Sequence, residues 1–246
     1  MRDDQLLRYS RQIMLPELDV AGQERLLGAR VLVVGLGGLG SPASLYLAAA
    51  GVGALVLTDD DRVEASNLQR QILHGEADLG RAKTDSAHDR LRYLAPDVEL
   101  ELLTCRLAGS ALERTVASVD LVLDGTDNLT TRYALNRACV AAGVPWISAA
   151  AIRFEAQLTA FDPRDPESPC YRCLWPDAEE VELNCAENGV IAPLVGIIGA
   201  MQALEAIKLL TGVGEPLVGR VLTLDAMTMG WQEFRLRRRH DCEDCG

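Results

Sequence analysis

An α/β fold built on a doubly wound, mostly parallel sheet is predicted by three features of the chain. A short apolar strand, Val31–Val34, runs straight into the loop Gly35-Leu36-Gly37-Gly38-Leu39-Gly40 and an alanine-rich helix. Strands and helices then alternate as far as Ala149. Near the C-terminus, VLTLDAMTMGWQEFRL alternates apolar and polar residues as half-buried strands do.

The elements follow in order. Residues 1–28 read as a helical arm, with LLRYSRQI and AGQERLL placing apolar residues at helical spacing on either side of Pro16. Residues 29–150 read as a nucleotide-binding, Rossmann-like part: strand 31–34, helix 42–50, strand 54–58, helix 81–94, strand 98–103, helix 110–117, strand 120–123, a helix over 132–142 and strand 146–149. Residues 151–246 follow a different pattern. QLTAFDP and the C-terminal alternating stretch are expected to pair antiparallel in a small second sheet. The acidic stretch Pro176–Glu187, with little periodicity, reads as a mobile loop or crossover, and Val190–Leu210 as a long apolar helix suited to a core or to a homodimer face.

The 246 residues are 48% hydrophobic, enough for a substantial core. A formal net charge of −12 argues against nucleic acid as the main partner, because phosphate contacts require basic surface. The basic run Arg235–Arg239 reads as a solvated strand end or tail. The apolar run Pro193–Leu210 is broken by Gln202, Glu205 and Lys208, and the N-terminus lacks the apolar centre of a signal peptide. No membrane association and a cytoplasmic location are therefore expected.

Seven cysteines include two CxxC pairs, Cys170/Cys173 and Cys242/Cys245. Four thiolates so paired can close a tetrahedral Zn2+ site. A redox pair would open a helix after a strand, whereas Pro169 and the terminal position of the second pair fit a structural clip that pins the tail to the central crossover. Cys105 and Cys139 fall in strand and helix patterns and are expected in the core.

The glycine loop lets the backbone approach a phosphate, and the helix after it offers free N–H groups. Asp59, at the end of the next strand, can accept hydrogen bonds from ribose hydroxyls. Asn67, Gln69, Arg70 and Lys83 follow. A dinucleotide needs no such cationic cluster, whereas a nucleoside triphosphate does. In LDGTDN, beyond a buried strand, Asp127 can hold Mg2+ or orient a phosphate; Asp124 competes for that role, and can instead bond local backbone N–H groups or cap the next helix. A doubly wound sheet brings Gly35, Asp59 and Asp124–Asn128 to the carboxyl ends of its strands.

RYSRQI (Arg8–Ile13), GLGGLG, the Asp59/Asp61 pair, SNLQRQ (Ser66–Gln71), the GxxK ending at Lys83, DGTDN, CYRC, GVIAPLVGIIGAMQALEAIK and DAMT occur in that order before the terminal CxxC. In this the chain resembles the MoeB/ThiF/HesA family of ubiquitin-activating-enzyme-like adenylyltransferases, and within it the molybdopterin-synthase branch. The resemblance implies an enzyme that uses ATP and Mg2+ to activate the C-terminal Gly-Gly carboxylate of a ubiquitin-like, MoaD-like sulfur-carrier protein as an acyl-adenylate, for molybdenum-cofactor biosynthesis. It implies that Gly35, Gly37, Gly38, Gly40, Asp59, Asp61, Asn67 and Asn128 contact the nucleotide. It further implies that Arg70 and Lys83 neutralise the nucleotide's phosphates, that Asp127 serves the Mg2+, and that Arg11 reaches the phosphates of a neighbouring subunit in a homodimer. Cys185 occupies the place of a cysteine that some relatives use in thioester or persulfide chemistry; a spare thiol is the equal alternative.

Three rivals stand beside this reading. Activation of a thiamine-pathway carrier uses the same scaffold. A zinc-stabilised scaffold would dock a carrier without turnover. A nicotinamide-dependent oxidoreductase is licensed by the glycine loop and Asp59, and leaves Arg70, Lys83, Asp127 and the cysteine pairs unexplained.

Overall fold

A computed structural model describes residues 1–176 and 188–246. The arm comprises α1 (Asp3–Arg8), α2 (Ser10–Ile13) and α3 (Asp19–Gly28). There follow β1 (Arg30–Val34), α4 (Gly40–Ala50), β2 (Ala54–Thr58), α5 (Lys83–Leu94), β3 (Glu99–Leu103), α6 (Gly109–Val116), β4 (Leu121–Asp124) and α7 (Leu129–Ala142). The remaining elements are β5 (Trp146–Ile152), β6 (Glu155–Phe161), the single turn α8 (Tyr171–Leu174), α9 (Ala192–Thr211), β7 (Arg220–Asp225) and β8 (Gly230–Arg235).

All eight strands form one sheet in the order β3-β2-β1-β4-β5-β6-β7-β8. The first five are parallel; β6, β7 and β8 continue antiparallel. QLTAFDP pairs with the C-terminal alternating stretch as expected, but these strands extend the main sheet through β5 and do not form a second one. The boundary placed at residue 150 thus runs through β5. β1, β2 and β4 are buried on both faces because successive side chains feed opposite cores. Val31, Val33, Leu55, Leu57, Leu121 and Leu123 join one core with Leu47 of α4 and Ile198 of α9. Leu32, Val34, Val56 and Val122 join the other with Val116 of α6 and Leu135 of α7.

α9 is long and apolar enough to cross a membrane by length and composition. Here it packs on α3, α4, β5 and β6. Gln202 donates to the Asp124 carbonyl and Glu205 accepts from the Leu217 N–H, so its polar residues have partners in this fold. A Cβ at Gly199 would lie 2.4 Å from the Leu39 carbonyl oxygen, which explains a glycine where α9 crosses the start of α4. The outer side of α9 exposes Ile197 and Leu204.

Cys139 lies in the core, but Cys105 is exposed. β3 stops at Leu103, so Cys105 sits in the connection beyond the sheet, where its carbonyl accepts from Thr58 Oγ1.

Candidate active site

Strand order reverses at β1, with β2 on one side and β4 on the other, and a crevice opens at the carboxyl ends of these strands, the place such sheets offer to ligands. Gly35 has φ +88°, and a Cβ there would meet the Gly125 carbonyl at 2.9 Å. A Cβ on Gly40 would lie 1.9 Å from the Gly35 carbonyl oxygen, so the loop closes on itself only with glycine at both positions. Gly37 and Gly38 line the crevice, and α4 begins at Gly40. Gly40 itself shapes the loop and does not line the crevice.

The Leu36 peptide is held from both sides. Its N–H donates to Asp59 Oδ2 at 2.7 Å, and its carbonyl accepts from His74 Nε2 at 3.1 Å and Ser41 Oγ at 3.2 Å. A carbonyl only accepts, so Nε2 carries the proton and Nδ1 of a neutral His74 accepts from Ser86 Oγ, 2.8 Å away on α5. Burial lowers the His74 pKa below its usual range, and Lys83 adds to the effect.

Lys83, the first residue of α5, lies 2.7 Å from Asp61 and 3.9 Å from Asp59, with only 6% of its side chain exposed. Asn67, Arg70 and Gln71 line the same wall, Arg70 donating to the Ser66 carbonyl. Asp60 is exposed at the rim.

The LDGTDN loop separates its two aspartates by environment. Asp124 is fully buried and accepts from Thr126 N–H and Oγ1, Arg132 Nε and Ser148 Oγ. Four donors saturate that carboxylate. Asp127 is exposed, lines the crevice, and among the described residues has no cation or hydrogen-bond donor on its carboxylate. A free hard oxygen ligand suits Mg2+. Asn128 caps α7 by accepting from Thr131 N–H at 2.9 Å.

The cavity, about 1590 Å³, extends from the glycine loop past Gln157 of β6 to Thr223–Asp225 of β7 and Gln232 of β8. This exceeds the roughly 300–1,000 Å³ of a site for one small ligand. DAMT forms the β7–β8 turn, where Asp225 accepts from Met227 N–H and Thr228 Oγ1.

Arg11 is not brought to this crevice. It lines a separate groove of about 360 Å³ with Arg8, Tyr9, Tyr46, Leu204 and Ile207. Cys185 lies outside the described residues. Sequence reasoning gave no role to Gln71, His74, Arg106 or Arg132; Gln71 stood inside a quoted motif, while the other three carry no local signal and are identified only by their contacts.

The four CxxC sulfurs converge. Cys170 Sγ is 3.9 Å from Cys173 and 3.5 Å from Cys242, and Cys173 is 3.5 Å from Cys245. A tetrahedron with metal–sulfur bonds of about 2.3 Å has edges of about 3.8 Å, so the cluster has the size of a four-thiolate zinc site. Arg239 N–H donates to Cys173 Sγ, as an outer ligand does around bound thiolates.

The sequence pattern of the ThiF family matches residues 9–244. The chain is 50% identical over 246 residues to the sulfur carrier protein ThiS adenylyltransferase of Escherichia coli, covering 100% of this chain and 97% of that protein. It is also 50% identical to the molybdopterin-synthase adenylyltransferase of the same organism, covering 100% and 98%. Among solved structures, E. coli MccB with ATP aligns with a TM-score of 0.85 and 25% identity over 97% of this chain and 74% of that one. The chain is a member of the ThiF family.

Proposed function

We infer that the protein is an ATP-dependent adenylyltransferase that activates the C-terminal carboxylate of a ubiquitin-like sulfur-carrier protein. The observation that carries this reading is the cavity of about 1590 Å³ that joins the glycine loop, Lys83, Arg70 and Asp127 to the antiparallel end of the sheet, a volume that leaves room for a peptide tail beside a nucleotide. The names of two full-length relatives support the same chemistry.

The tail carboxylate is ionised at neutral pH and needs no general base. Its oxygen forms a bond to the α-phosphorus of ATP as the bond to pyrophosphate breaks, giving an acyl-adenylate. The protein aligns the two groups and neutralises charge. N–H groups of the loop and α4 meet the phosphates, and Arg70 and Lys83 offset their charge. Asp59 faces the ribose. Asp127 is the residue that would hold Mg2+, which when bound supplies further neutralisation of the triphosphate. The four cysteines would hold a structural Zn2+ that ties residues 242–245 to α8. In a homodimer, the groove of Arg11, Tyr46 and Leu204 would lie at the interface and Arg11 would reach the neighbouring crevice.

The carrier is of the molybdenum-cofactor type or of the thiamine type, and a relative of each kind stands at 50% identity. ATP–pyrophosphate exchange with each class of carrier tests the reading: exchange with one and not the other assigns the pathway, and exchange with neither rejects the activity.

A further inference from the structure

We propose that Arg106 is a positioning residue of this site: it straps the loop carrying Asp127 to the connection on the far flank of the crevice, and so sets the affinity for the metal-bound nucleotide.

β3 and β4 lie on opposite flanks of β2 and β1, three strand spacings or about 14 Å apart. The connection from β3 to α6 is anchored at the end of β2, where Thr58 Oγ1 donates to the Cys105 carbonyl at 2.8 Å, and by the buried side chain of Leu107. From between these anchors Arg106 reaches across. Its Nη2 donates to Asn128 Oδ1 and to Thr131 Oγ1, both at 3.1 Å. Cys105, Arg106, Leu107, Asp127 and Asn128 all line the cavity.

Asn128 is the residue after Asp127; its Oδ1 caps α7 by accepting from Thr131 N–H and also accepts from Arg106. Asp124 and Arg132 secure Thr126, by bonds to its N–H, hydroxyl and carbonyl. Asp127 makes no such bond among the described residues. Arg106 ties this capped end of the segment to the connection after β3, and a planar guanidinium can hold two acceptors at once. Among the described residues Arg106 has no carboxylate partner, so its charge and remaining donors stay at the rim.

This inference rests on the reading that Asp127 serves the metal that accompanies ATP. The test is calorimetric titration of ATP into the full-length protein, with Mg2+ and with EDTA, for the wild type and Arg106→Leu. Loss of hydrogen bonds to neutral acceptors is expected to raise the Kd for ATP with Mg2+ about fivefold, with the Kd in EDTA changed less than about twofold and the melting temperature unchanged. A merely structural role would move both Kd values together. Equal Kd values for Arg106→Leu and wild type in Mg2+, or equal weakening in both conditions, would overturn the assignment. If Arg106→Leu does not fold, Thr131→Val removes one acceptor and should weaken Mg2+-dependent binding about twofold; no change there also overturns it. A wild type that binds ATP equally with and without Mg2+ would reject the metal role of Asp127 itself, which is a different failure.

Discussion

Asp124 and Arg132 form a buried ion pair, Oδ2 to Nε at 3.1 Å, at the foot of the loop that presents Asp127 to the crevice. The aspartate side chain is fully buried and the arginine side chain 9% exposed, so neither charge is solvated if its partner is removed. The arginine also donates to the carbonyls of Thr126 and Ala149, tying the loop to β5.

Removing one partner of a buried pair costs about 3–5 kcal/mol. Asp124→Ala is therefore expected to lose stability of that order in urea denaturation. Asp127→Ala, at an exposed position without a bond to its carboxylate among the described residues, should change stability by less than about 0.5 kcal/mol and abolish ATP–pyrophosphate exchange. Near-normal exchange by Asp127→Ala would remove the role assigned to it.

Gly40→Ala places a methyl group where the Gly35 carbonyl oxygen lies 1.9 Å away. Backbone cannot yield as a flexible side chain does, so the loop must open. The expected cost is about 2 kcal/mol or more, with ATP binding lost while other parts of the fold persist. Unchanged ATP affinity in calorimetry would show that the closed loop is dispensable.

Serine at both Cys170 and Cys173 should reduce bound zinc from one equivalent per chain to none. Loss of the clip is expected to cost about 3 kcal/mol, a melting shift of roughly 10 °C for a chain of this size. Elemental analysis checks the first outcome and thermal unfolding the second; full zinc content in the double variant would refute the four-cysteine site.

His74 is held neutral in the folded protein, chiefly by burial, with its pKa below the usual 6.5. The unfolded chain takes up a proton there near pH 6.5 and the folded chain only at lower pH. Stability should therefore fall as the pH drops below about 6.5 and level off once the folded-state value is passed. Melting temperatures between pH 5 and 7 should decline less steeply for His74→Gln than for the wild type, and parallel curves would contradict this.

The parallel half of the sheet was legible in the sequence because β1, β2 and β4 carry runs of buried apolar residues and helices alternate with the strands. Asp59 and Asp127 were legible because strand ends in a doubly wound sheet share one side, and Lys83 because it closes a cationic cluster after β2. The joining of β5 to β6 was not, since the hairpin turns at Arg153, which takes φ +52° without the glycine or asparagine that marks such a turn. Cys105 lies two residues beyond the strand end at Leu103, in an exposed connection and not in the core expected for it. Arg106 had no local signal at all: its contact with Asn128 depends on which strands separate β3 from β4.

The central claim is tested most directly by intact-mass spectrometry of a Gly-Gly-ending carrier incubated with the protein, ATP, Mg2+ and pyrophosphatase. The account predicts a carrier–AMP adduct that forms with the intact tail and not with a carrier lacking its last glycine. ATP bound without any adduct, on carriers of both the molybdenum-cofactor and thiamine types, would contradict it.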